Sequence, residues 1–283
     1  MGMAASFESL IKTYESVAHR DDGKRRQFSL QGPQAALLFY GSQHVREVGH
    51  PMWEEIKEAL DNMNPDLVFV EGIEGLRREV REAQRAALLN EILGLTLLET
   101  VRRFGESGFS ARYAAERGIA VECPEPSFKE EVRHVEQLGF SRDGIVAYYV
   151  YRMVHQWLNT PGAPTLEQYL TPSIDELCAS TGWGDYDWAL PNIFSLSEKF
   201  WGAPLKKDQK YFYARAVAPF GSRREGTGIE TNEVCSASAL FRDQAIARAI
   251  VGAQGRAKRI AVVYGSGHSF TLEEALKAAF SAP

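Results

Sequence analysis

Short apolar runs alternate with longer amphipathic stretches along the first 125 residues. Ala35-Ala36-Leu37-Leu38-Phe39-Tyr40 is continuous and closed by Gly41, and Leu67-Val68-Phe69-Val70 is closed by Glu71-Gly72. Runs this short, bounded by turn residues, predict strands buried on both faces. Ile119-Ala120-Val121, closed by Glu122-Cys123-Pro124, predicts a third strand, and Ile260-Ala261-Val262-Val263-Tyr264 a fourth. Between them the apolar spacing predicts helices over 7–17, 51–60, 76–104, 111–117 and 242–251, with Gly118 as a C-cap. A charged connector over 20–26 turns at Gly23. Thr271 and Glu274 have capping-box spacing, which predicts a last helix starting after Thr271.

Strands alternating with helices imply parallel pairing. Residues 127–235 break the rhythm. This segment holds Tyr148, Tyr149, Tyr151, Trp157, Trp183, Tyr186, Trp188, Trp201, Tyr211, Phe212 and Tyr213. The expected fold is α/β, a mostly parallel sheet with flanking helices, in one domain over 1–283. Residues 127–235 form a helical, aromatic-rich insertion or cap, with Trp183, Trp188 and Trp201 as its anchors over the crevice; an irregular part of the same core is the alternative.

Composition narrows the class. The chain has 283 residues, 45% of them hydrophobic and 24% charged, with a net charge of −5. That supports a packed core and excludes the disordered class. It also argues against a general nucleic-acid partner, since basic runs such as Lys24-Arg25-Arg26 and Arg223-Arg224 are short. The longest apolar stretch, 86–101, carries Glu91 and Glu99, so no transmembrane segment is expected. Three separated cysteines, Cys123, Cys178 and Cys235, read as reduced thiols and make the cytoplasm the expected compartment. Residues 1–18 lack the apolar core of a signal peptide, and 1–6 match the loose myristoylation pattern only by coincidence.

Two strand ends share a pattern: Tyr40-Gly41-Ser42-Gln43-His44 and Tyr264-Gly265-Ser266-Gly267-His268. In a parallel sheet the carboxyl ends of the strands lie on one edge, where open α/β folds bind ligands. His44 and His268 should therefore face one crevice, with Glu71 at the matching end of another strand and Glu122 at that of a fourth. Two imidazoles and a carboxylate suit a metal centre or an acid–base site. Gly41, Gly265 and Gly267 permit positive φ or close backbone approach. Ser42 and Ser266 lie outside any G-x-S-x-G elbow, so a serine nucleophile is not expected. Glu130, Glu131 and His134 read as a solvated helix face, and His155 as a packed helix residue. Glu122 and Glu125 flank Cys123 and should raise its pKa. Neither a P-loop nor a G-x-G-x-x-G fingerprint is present.

With its paired G-x-x-H motifs, its strand-terminal Glu and an Arg-led helix before the second motif, the chain resembles the TIKI/TraB superfamily. That group is related in fold to erythromycin-esterase and ChaN-like haem-binding proteins. The resemblance covers residues 34–72 and 239–276. It matches His44 and His268 to the motif histidines, Glu71 to the acidic residue, and Arg242, followed by Asp243, to the helix-opening Arg. Ser269-Phe270-Thr271 departs from the Leu and Gly that usually follow the second motif.

What the resemblance implies is hydrolysis of an amide or ester bond in a small-molecule or peptide substrate, with catalytic residues His44, Glu71, His268 and Arg242. In a metal-dependent version His44, Glu71 and His268 hold a divalent ion (Zn, Mn, Co or Fe), and Glu122 and Glu125 are further candidate ligands. In a metal-free version His44 is the base and Arg242 binds the oxyanion or a substrate carboxylate. The alternative is a non-enzymatic haem or metal binder using the same histidines.

Overall fold

The computed structural model describes residues 6–20, 24–160, 162–205, 210–219 and 229–282. The myristoylation pattern, Gly23 and Arg223-Arg224 lie outside them. The chain divides into two compact units: residues 1–125 with 242–283, and residues 126–241.

The first unit is built on one five-stranded sheet. In chain order it begins with a 3-10 turn (Phe7–Leu10), α1 (Tyr14–Val17), β1 (Arg26–Gln31), β2 (Ala36–Ser42), α2 (Met52–Met63) and β3 (Leu67–Val70). It continues with α3 (Glu82–Gly94), α4 (Leu97–Glu116) and β4 (Ala120–Glu122). The second unit contributes α5 (Phe128–Gln137), α6 (Arg142–Leu158), α7 (Leu166–Thr181), α8 (Leu190–Trp201) and α9 (Lys210–Ala216). Helix α10 (Glu230–Ala253) carries residues of both units, and the first unit closes with β5 (Arg259–Gly265) and α11 (Ser266–Ser281).

Strand order is β1-β2-β5-β3-β4, with β1 antiparallel to β2 and every other pair parallel. The α/β sheet expected from the sequence is present, and its four parallel strands fall where the apolar runs lie. Burial explains this: β2 from Leu37, and β3 and β5 almost throughout, are covered on both faces. Helix α2 lays Met52, Trp53, Ile56, Ala59 and Leu60 on the sheet at i, i+3/i+4 spacing and ends at Asn64 in the left-handed region.

Several local expectations are corrected. A strand not expected from the sequence, β1, begins at Arg26, the last residue of the connector, and its half-buried and exposed positions alternate as an antiparallel edge strand allows. The 7–17 helix is two short turns, because the chain is extended at Ile11 and Thr13. The 76–104 helix is broken twice, and 111–117 continues α4. The helix over 242–251 lies inside the longer α10. Helix α11 starts at Ser266 and not after Thr271: the Thr271 hydroxyl donates to the His268 carbonyl inside the first turns, so no capping box forms there. Gly41, Gly265 and Gly267 all have ordinary φ; what they provide is close approach.

The second unit has its own core of Val, Ile, Leu, Tyr and Trp side chains. Trp183 and Trp188 stack at 6.2 Å, and Trp201 packs on Tyr151 at 4.1 Å, so all three anchors contribute to this core. Of the solvated-face candidates, Glu130 closes a capping box with Ser127 and His134 stacks on Phe241. Glu131, by contrast, is buried and accepts from the Tyr149 and Ser238 hydroxyls. Among the described residues no helix is long and apolar enough to cross a membrane.

Candidate functional site

Strand β5 lies between β2 and β3, with Ser42 opposite Gly265 and Val70 opposite Val263. His44 is two residues past β2, Glu71 one past β3, and His268 three past β5. The register therefore delivers all three side chains to one end of three neighbouring strands. His44 Nε2 lies 4.0 Å from one Glu71 oxygen, and His268 Nε2 lies 3.6 Å from the other. Glu71 sits between the imidazoles and accepts the Gly265 N–H at 2.7 Å, at the N-terminus of α11. That end of a helix favours a carboxylate.

Each imidazole has a second carboxylate behind it. His44 Nδ1–H donates to Glu106 at 2.5 Å, and the Ser42 hydroxyl donates to the same oxygen at 2.9 Å. His268 Nδ1–H donates to Asp243 at 2.5 Å, with the Tyr14 hydroxyl 3.0 Å from that nitrogen. Glu106 and Asp243 are buried, whereas the His44 side chain is 59% exposed and lines a cleft. Backbone strain accompanies this placement. His44 has φ +54, and Gly105 has φ +60 and ψ −146, a conformation that only glycine takes without strain. The break at Gly105 inside α4 leaves Glu106 buried on the His44 ring.

Arg242 pairs with Glu125 and lies 3.6 Å from Glu71. Glu125 also accepts the Gly72 N–H at 2.9 Å. Arg242 thus holds two carboxylates at the strand ends, and it does not line the cleft. Glu122 makes a two-pronged pair with Arg256 at 2.6 and 2.7 Å. Cys123 is buried, and burial with the charge of Glu125 pushes its thiol up to about 12.

The electrostatics follow from these contacts. Burial opposes the charge of Glu71, but His268, His44 and Arg242 hold it well below the usual carboxylate range. Burial likewise opposes the His268 imidazolium; Asp243 and Glu71 outweigh it and raise the group to about 10. The Glu106 hydrogen bond raises His44 above its free value, against the partial desolvation of the ring in the cleft.

Single ligand atoms of His44, Glu71 and Glu106 lie within 4.8 Å of one another. One imidazole nitrogen and two carboxylate oxygens are donor types that a divalent ion can use, although Glu106 already serves His44 Nδ1. His268 approaches Glu71 from the other side and stands outside that tight group. No protein-family model matches the chain, and no curated protein matches it. Resemblance to the TIKI/TraB superfamily therefore rests on the motif residues alone.

Glu106 was not among the residues singled out from the sequence. Its one signal was Gly105-Glu106, a break followed by an acid. Tyr14 gives no local signal, and Asp243 only its place beside Arg242.

Proposed function

We propose that the chain is a hydrolase of ester or amide bonds in which His44 activates the attacking water. One observation carries this: His44 Nδ1 is engaged by buried Glu106, while the ring lines an open cleft with Nε2 towards Glu71. An imidazole held at one nitrogen by a carboxylate and open at the other is arranged as a general base. Water on Nε2 gives up its proton as it attacks the carbonyl. The resulting imidazolium is stabilised by Glu106 and returns the proton to the leaving group. Glu71, kept ionised by His268 and Arg242, is placed to orient the water. In this reading Arg242 acts by positioning Glu71 rather than by holding an oxyanion.

A second reading is favoured by the clustering of His44, Glu71 and Glu106: a divalent ion held there would polarise the carbonyl and lower the pKa of bound water. The cleft volume of about 230 Å³ weighs against haem, being below the roughly 300–1,000 Å³ of sites for drug-sized ligands. In this proposal residues 127–235 are a helical, aromatic-rich insertion, and the protein works in the cytoplasm on a small or peptide substrate.

The experiment is turnover of activated esters and anilides by protein purified without chelator, with metal content measured alongside. Loss of turnover in His44→Ala is expected. Metal content near zero in active protein selects the general-base reading, and stoichiometric metal lost with the histidine selects the other. Full activity in His44→Ala overturns both.

A further inference from the structure

The cleft is small and its charges are arranged unevenly. Its volume of about 230 Å³ is below the roughly 300–1,000 Å³ of sites for drug-sized ligands, which suits a short acyl group better than a bulky one. At one place lie His44, Glu71 and Glu106; the other lining residues include Arg46, Arg103 and Phe104. Arg103 already pairs with Glu91 and lies over the Phe104 ring. Arg46 differs. It is exposed, and its Nη1 donates to the carbonyls of Arg102 and Arg103 at 2.7 and 3.5 Å, at the end of the helical turn that Gly105 breaks. Among the described residues it has no carboxylate partner, and Nη2 and Nε make no hydrogen bond.

A cation in a catalytic cleft without an acidic partner favours an anion there, and the guanidinium fork matches a carboxylate. The position of that anion is also set. Next to His44 it would meet Glu71 and Glu106, a like-charge repulsion. The negative group is therefore better placed against Arg46 than against those two carboxylates.

We propose that the cleft takes short acyl compounds whose chain ends in a carboxylate, such as half-esters or half-amides of small dicarboxylic acids, with Arg46 binding that carboxylate. This rests on the hydrolase reading for the reaction, but the anion site can be tested apart from it. Isothermal calorimetry compares 5-oxohexanoate, a ketone that copies a glutaryl ester and cannot be hydrolysed, with neutral 2-hexanone. Wild-type protein should bind the anion about tenfold more tightly. Arg46→Gln should erase that preference, and Arg46→Lys, which keeps the charge but loses the fork, should retain only part of it. Equal binding of the two ketones, or a preference surviving in Arg46→Gln, overturns the assignment.

Turnover then separates the two ideas. With p-nitrophenyl hydrogen glutarate and p-nitrophenyl butyrate, the wild-type kcat/KM ratio should favour the anionic ester and fall about tenfold in Arg46→Gln. Anion preference in calorimetry with no ester turned over removes the hydrolase reading and keeps the anion site. Turnover indifferent to charge does the reverse.

Discussion

The ring of His44 occupies the space where a side chain on Gly265 would begin. A Cβ at Gly265 would overlap His44 Nε2, reach Cε1 at 2.8 Å and lie 3.3 Å from Glu71. The two motif copies, at opposite ends of the chain, are therefore packed together at their key residues. Gly265→Ala leaves backbone geometry comfortable, since φ is −53. It should displace the imidazole rather than unfold the strand. The expected outcome is a loss of about 10²-fold in kcat/KM, the scale of a ~1 Å misplacement, with a melting temperature close to wild type. Wild-type kinetics in the alanine variant would show that His44 does not work from this position.

Glu106 offers a second handle. Glu106→Gln preserves shape but removes the charge that steadies the His44 imidazolium and fixes its tautomer. A loss of roughly 10²–10⁴-fold in kcat is expected, the usual range for a general acid–base function. Ser42→Ala removes only one neutral donor to the same carboxylate and should cost far less. Steady-state kinetics on both variants checks the order; the reverse order removes Glu106 from the mechanism.

His268 makes a stability prediction. Around it stand Asp243, Glu71, Tyr14 and Tyr264, and the two carboxylates raise it to about 10. A group that holds its proton more tightly when folded stabilises the fold wherever that proton is bound. Its contribution is complete below about 6.5, the free imidazole value, and is lost as pH climbs to about 10. Urea midpoints of the wild type should therefore fall between pH 6.5 and 10 more steeply than those of His268→Gln. Parallel curves would mean the imidazole is neutral in the folded chain.

The parts of this architecture that the sequence made legible are those with one dominant force. β2, β3 and β5 are buried on both faces, so their residues are apolar apart from Ser42 and Arg259 at the strand ends. His44, Glu71 and His268 follow those strands directly, and parallel pairing then brings them together. Illegible parts were set by partners distant in the chain. Edge strand β1 mixes Phe28 and Leu30 with Arg26, Gln27, Ser29 and Gln31, a pattern shared with charged loops. The start of α11 depends on Gly265 running straight from strand into helix, which no side-chain cap announces. Glu106 and Asp243 could not be ranked above other acids, because what marks them is burial against an imidazole.

Buried Cys123 separates a structural from a reactive thiol. It lies 3.7 Å from Glu125 and is 1% exposed, with its pKa pushed up to about 12. At pH 8 the thiolate fraction is then about one in 10⁴, and an alkylating reagent needs both the thiolate and a path to it. Cys178 is partly exposed. Iodoacetamide at pH 8, followed by peptide mapping, should modify Cys178 first and reach Cys123 only as the chain unfolds. Rapid labelling of Cys123 in folded protein would place a reactive nucleophile at the strand ends and reopen covalent catalysis by that thiol.

The sharpest test of a shared site is a cycle of His44→Ala, His268→Ala and the double variant. Glu71 lies within 4.0 Å of both rings, so losing either imidazole disturbs the same carboxylate and, in the proposed reaction, the water that it would orient. Groups that act as one unit cannot each be lost in full twice. The double variant should therefore lose little more kcat/KM than His44→Ala alone, although each single variant is strongly impaired. Two independent sites would instead make the losses multiply. Retained activity in His268→Ala would leave His44, Glu106 and Glu71 as the working set, with His268 contributing only to the fold.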